Sequence, residues 1–168
     1  MTTTAFGYAV PLKYDEAKPG MLISASTPGG RHVLGLAFQG DREILLAVFR
    51  QNGEPTEPEP PYVVDLTDVH QTLTGIIGDR EFEPAGLAFE LLPQRKVGIE
   101  GFVITSQGTI GLAVVHHDFG QPKFRMLDFD TGLDLKHGGS VAVIPEPRIY
   151  IRGPGRDQRF ELTLTPTA

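Results

Sequence analysis

Val33-Leu34-Gly35-Leu36-Ala37-Phe38, Gln39-Gly40-Asp41-Arg42 and Glu43-Ile44-Leu45-Leu46-Ala47-Val48-Phe49-Arg50-Gln51 follow one another in the chain. Two runs rich in branched and aromatic residues, separated by a short polar link containing Gly, predict a β-hairpin. The stretch Ile44 to Phe49 has no polar residue on either face of a strand. Strands that bury both faces read as continuous apolar runs, so this one belongs inside a sheet, away from its edges.

The same punctuation continues outward from the hairpin. Met21 to Ser26 is a short strand closed by Thr27-Pro28-Gly29-Gly30. Phe6, Tyr8 and Val10 alternate with smaller residues up to Pro11, so residues 1–20 read as an arm or edge strand. Beyond the hairpin, residues 52–61 hold three Glu and four Pro and predict an extended, solvated loop. Further strands are expected over 86–92, 97–106, 109–118, 123–130, 141–144, 148–152 and 159–165. Gln107-Gly108 and Asp130-Thr131-Gly132 supply turns between them. Ile149 and Ile151 alternate with Arg148, Tyr150 and Arg152, and Phe160, Leu162 and Leu164 alternate with Glu161, Thr163 and Thr165.

One segment reads differently. After Tyr62 to Asp65, the residues Leu66, Val69, His70, Leu73, Ile76 and Ile77 recur at helical spacing. The spacing predicts an amphipathic helix over 66–77, with Asp65 or Thr67 as cap and Gly78 as its left-handed stop. The expectation is thus a mainly β chain of about ten short strands, in a barrel or sandwich, with one helix. At 168 residues it forms one domain, 1–168, and can bury a core without disulfides or metals. With 20 Gly, 14 Pro and no Cys, the composition suits many turns and excludes a thiol nucleophile or thiolate zinc site. Gly35-Leu36-Ala37-Phe38 recurs as Gly86-Leu87-Ala88-Phe89, with Gly111-Leu112-Ala113-Val114 as a near copy. Duplicated β-units and chance recurrence both account for four common residues.

Charge narrows the function classes. A net charge of −6 argues against nucleic-acid binding, whose affinity comes largely from Lys and Arg neutralising phosphates. No apolar run reaches a bilayer span, and Met1 to Phe6 lacks the basic and apolar regions of a signal peptide, so a cytoplasmic protein is expected. The distribution is uneven. Residues 54–90 carry nine acids and one Arg; residues 148–159 carry Arg148, Arg152, Arg156 and Arg159 against Asp157. Opposite patches of this kind steer partners or further copies of the chain.

Candidate chemistry is sparse. In a strand, His116 and Asp118 share a face while His117 points away, and imidazole with carboxylate suits zinc or iron. A third ligand would come from His32, His70 or His137. Asp128-Phe129-Asp130-Thr131-Gly132-Leu133-Asp134 has the oxygen density of a calcium loop. Its Gly falls at the fifth position where the sixth is required, and Gly139 stands where a bidentate Glu belongs, so a hairpin turn accounts for it better. His70 reads as a core histidine. His137-Gly138-Gly139-Ser140 has no nucleophile elbow beside it, and Gly153-Pro154-Gly155 lacks the N–H groups of a phosphate loop. Glu81, Glu83 and Glu90 have no fixed separation from which a glycosidase pair follows.

Ala17-Lys18-Pro19-Gly20-Met21-Leu22-Ile23, and Gly138 to Ile144 followed by Arg148-Ile149-Tyr150-Ile151, resemble the small β domains of tailed-phage capsid decoration, or cement, proteins. The resemblance implies a Pro-Gly turn opening a β-unit, a late barrel strand, and a virion surface role without catalytic residues. The sequence therefore points first to a non-enzymatic β domain that docks on a larger assembly or on itself. It needs no cofactor, contacts a protein partner or its own copies, and offers the arginines of 148–159 as the contact. The alternative is a β-barrel that binds a small molecule, or a metal-assisted enzyme, built around His116 and Asp118.

Overall fold

A computed structural model describes residues 9–26, 30–52, 59–68, 73–84, 90–92, 100–118, 120–136, 141–153 and 157–164. The described residues form fourteen strands. They are β1 (Ala9–Leu12), β2 (Leu22–Ser26), β3 (His32–Gln39), β4 (Ile44–Gln51), β5 (Tyr62–Asp65), β6 (Leu73–Ile76) and β7 (Asp79–Glu83), followed by β8 (Glu90–Leu92), β9 (Gly101–Thr105), β10 (Ile110–Asp118), β11 (Gln121–Asp128), β12 (Val141–Ile144), β13 (Arg148–Arg152) and β14 (Arg159–Glu161). Three antiparallel sheets result, with strand orders β1-β6-β2-β3-β4-β5, β11-β10-β9-β12-β8 and β14-β13-β7. Each keeps two edges, so none closes into a barrel.

The hairpin expected from Val33 to Gln51 is β3–β4, and its link closes with Gly40 N donating to Glu43 O at 2.8 Å. β4 lies inside the six-stranded sheet, between β3 and β5. Leu45, Ala47 and Phe49 enter the main core, whereas Leu46 and Val48 enter a second cluster behind the sheet with Ile23, Val33, Ala37 and Leu73. That is why the run has no polar face. The main core draws on all three sheets: Leu22, Leu36 and Phe38 from the first, Phe102, Leu112 and Leu127 from the second, and Ile149 and Ile151 from the third. Phe129 is its hub. Fully buried, it packs 4.9 Å from Phe49, 4.8 Å from Phe82 and 5.1 Å from Phe102, one ring from each sheet.

The helix expected over 66–77 does not form. Asp65 does cap, accepting from Thr67 N at 3.0 Å, but it starts only a 3-10 turn, Leu66–Asp68. Residues 69–72, with His70, lie outside the described residues. Leu73–Ile76 is instead β6, paired to β1 and β2. Gly75 explains the preference. It weakens a helix interior, and in the strand its missing side chain leaves room for Leu12, whose Cδ1 would sit 2.7 Å from a Cβ there. Gly78 has the expected positive φ, 135°, at the β6–β7 turn. The other turns stand where their Gly residues place them. Thr105 Oγ1 accepts from Gln107 N and Thr109 N, and Gly132 N donates to Asp128 O at 2.8 Å. Ala9–Leu12 is an edge strand, and it contains Pro11 as edges permit.

The two larger sheets repeat one topology. In each, a meander is followed by a strand that returns beside its first strand, the Greek-key arrangement: β6 returns beside β2 after the four-stranded meander β2-β3-β4-β5, and β12 beside β9 after the three-stranded meander β9-β10-β11. The strand before each meander, β1 or β8, pairs with the returning one. Register repeats too. Ile76, Leu22, Leu36, Ala47 and Val63 lie side by side in the first sheet. In the second, Ile144, Phe102, Leu112, Leu127 and Asp134 do the same. Gly35-Leu36-Ala37-Phe38 and Gly111-Leu112-Ala113-Val114 hold matching places in β3 and β10; Gly86 to Phe89 lie outside the described residues. β7 and β13, each the next strand after a returning one, then pair with one another about Glu81 and Tyr150.

Candidate functional site

The three-stranded sheet turns Ile149, Ile151 and Phe82 inward. Cross-strand register then places Arg148, Tyr150 and Arg152 of β13 on the outer face beside Asp79, Glu81 and Glu83 of β7 and Arg159 and Glu161 of β14. Glu81 is the centre of that face. Its Oε1 accepts from Arg152 Nη2 at 2.9 Å and its Oε2 from Arg159 Nη1 at 2.8 Å. Arg159 also stands 3.9 Å from Glu83 and lays its guanidinium 4.1 Å from the Tyr150 ring centroid. Arg148 is held above the ordinary arginine pKa, first by its hydrogen bond with Tyr150, then by the charges of Tyr150, Glu161 and Glu83.

The acidic and basic segments of the sequence therefore meet within one chain. The arginines are half of a mixed-charge face whose side chains hold each other in place. With roughly two-fifths of each side chain exposed, every such pair contributes about 1 kcal/mol or less to stability. Their larger effect is order, since long side chains already fixed lose less entropy when a partner arrives. Arg156 lies outside the described residues. The alternation of 148–152 pointed to this face; Glu81 stood out only as one of several acids, because β7 is remote in sequence and nothing in its spacing pairs it with Arg152 and Arg159.

A β-bulge ties the sheet to its neighbour. Leu34 pairs with Arg50 and Gly35 with Val48, so Phe49 is the extra residue and both Phe49 and Arg50 face the core side. Arg50 then reaches across to donate to Leu162 O at 2.6 Å and to Glu146 at 2.7 Å. Leu162 is buried, and its N–H donates to Ile149 O at 2.7 Å. At the other end of the sheet, Arg80 donates to Gly20 O and, at 3.3 Å, to Asp130 O. Burial lowers the Arg80 pKa, partly offset by Asp130. A pocket of about 240 Å³ opens beside it, lined by Arg80, Phe82, Thr109, Ile110, Asp128 and Asp130.

His116 follows Val114 onto the core face of β10, is 5% exposed, and meets Phe38 edge-on at 5.7 Å. Only the backbone of Asp118 is described. His117 is exposed, His32 lies within 3.2 Å of Ser26 Oγ, and His137 falls outside the described residues. No group of three His, Asp or Glu side chains that could hold a metal occurs among the described residues. Asp128 takes up its Oδ1 in a turn, accepting from Asp130 N and Thr131 N, as the hairpin reading of that segment requires. No helix among the described residues is long and apolar enough to cross a membrane.

Neither the protein-family models, nor the curated proteins, nor the solved structures contain a match to this chain.

Proposed function

We propose that the chain is a non-enzymatic β domain that docks on further copies of itself within a larger assembly, through the outer face of the three-stranded sheet. The observation that carries this reading is the ordered mixed-charge face around Tyr150. Tyr and Arg supply much of the energy of protein interfaces, and here they stand on rigid strands, stacked and hydrogen-bonded before any partner arrives. Arg148 and Arg152 lie on β13 and Arg159 on β14 beside Glu161, while Asp79, Glu81 and Glu83 lie along β7. A second copy turned through a twofold axis brings each set over its opposite, which is how an isologous interface becomes self-complementary. The resemblance to phage decoration domains gives the assembly a concrete form, the outer layer of a virion. Pro19-Gly20 leads into β2, and the second resembling segment supplies β12 and β13.

Light scattering on the eluting protein tests the reading. A dimer or larger species in low salt should shrink toward the monomer in high salt. Replacing Arg148 and Arg159 by Glu should weaken it at low salt. A strict monomer at every salt and protein concentration would overturn the proposal.

A further inference from the structure

The repeated topology leaves one place unmatched. β13 has β7 on one side and β14 on the other, whereas β7 has only β13 among the described strands. Because β7 and β13 are counterparts paired about Glu81 and Tyr150, the position beyond β7 corresponds to the one β14 fills. Among the described residues the chain does not fill it in the same way. β13 is followed by β14, which pairs with it, but the next described strand after β7 is β8, which pairs with β12 in another sheet.

The two positions match in detail. Beside β14, Leu162 is buried in the main core, and Arg50 holds its carbonyl. Arg50 stands three residues after Ala47, and Asp130 stands three after Leu127, the counterpart of Ala47. Asp130 lines the pocket of about 240 Å³ beneath β7, together with Phe82, Ile110 and Asp128. Among the described residues, one end of the molecule has a strand, an arginine and a buried leucine, and the other has a β7 edge with no strand beside it and a pocket lined by Arg80 and two aspartates.

We propose that the open edge of β7 is a strand-docking site for an extended segment of a partner polypeptide that alternates basic with apolar residues. An added strand gains main-chain hydrogen bonds along β7, and its alternate side chains provide specificity. Its outward residues lie beside Asp79, Glu81 and Glu83, so they are Lys or Arg. An inward apolar residue packs on Phe82 and Ile110 at the apolar side of the pocket, whose other side is lined by Arg80, Asp128 and Asp130. Two β7 edges cannot pair with each other across a twofold axis, because antiparallel pairing would set these carboxylates against their own copies. The proposal builds on the docking reading above but uses the edge of the sheet where that reading uses its face.

Amide hydrogen exchange of the full chain with a short capped peptide alternating arginine with leucine tests the edge alone. Exchange at Arg80 to Phe82 should slow by roughly tenfold or more at saturation, and the peptide should bind roughly tenfold less tightly to an Asp79→Lys, Glu83→Lys variant. Both replaced residues are exposed; where the double variant does not fold, Asp79→Lys alone repeats the comparison. A peptide with glutamate in place of arginine should leave exchange unchanged. Unaltered exchange with the arginine peptide, equal slowing by the glutamate peptide, or slowing produced only by raising the concentration of the chain itself would each overturn the proposal. Light scattering reads the face independently, so a chain that assembles yet leaves β7 unprotected loses this inference and keeps the docking reading.

Discussion

A side chain at Gly132 would occupy space already filled: its Cβ would lie 2.4 Å from Gly20 N and 2.6 Å from Ala37 O. Gly20 is equally confined, with Thr131 O 2.6 Å from its own would-be Cβ, and its N–H donates to Ala37 O. Two glycines with positive φ, 92° and 70°, thus let the first and second sheets touch backbone to backbone. Gly132→Ala should cost about 3 kcal/mol, combining left-handed strain with overpacking. Gly120→Ala is the control. Its φ is also positive, 77°, but nothing surrounds it, so about 1 kcal/mol is expected. Urea midpoints of the two variants check the difference. The sequence showed Gly20 and Gly132 as turn residues. Their contact was invisible there, because it joins residues far apart in the chain.

Among the elements, β5 shows how an edge strand is held. Tyr62 donates its hydroxyl to Gln51 Oε1 at 3.0 Å, and burial pushes its pKa above the ordinary 10.0 despite the nearby charge of Arg31. The folded state therefore favours the neutral phenol. That stability is complete below the unfolded pKa of about 10 and disappears as pH rises through the higher folded value. Urea midpoints measured between about pH 8 and pH 11 should fall in the native chain, and fall less in Tyr62→Phe, which has no phenol to ionise there. Strands with local partners were legible. The β3–β4 hairpin and the inward pattern of 148–152 follow from turn residues and alternation. β6 was not. Leu66, Leu73 and Ile76 satisfy a helical stripe, and over so short a run only the partners decide. Those partners, β1 and β2, lie more than sixty and about fifty residues earlier. The arginine face was half legible for the same reason: Arg152, Arg159 and Glu81 were all evident, and their meeting was not.

For the molecule as a whole, Phe129 is where the three sheets meet. Phe129→Ala removes a fully buried ring that touches Phe49, Phe82 and Phe102, and should cost about 3–5 kcal/mol. Because each sheet contributes one of those rings, near-UV and far-UV signals of the variant should be lost together in a single transition. Separate transitions would show that the sheets unfold independently. The repeated topology was barely legible, since Gly35 to Phe38 and Gly111 to Val114 share only three residues. What repeats is pairing order and register, and sequence records neither directly. The pairing of β7 with β13 also bears on synthesis. β7 ends at Glu83 and its only described partner begins at Arg148, so it leaves the ribosome long before that partner exists. Until then both its edges are bare and Phe82 is uncovered, the condition in which strands join the wrong neighbours. A chain cut short before Arg148 stays in that condition, so β7 is covered only once β13 has been made.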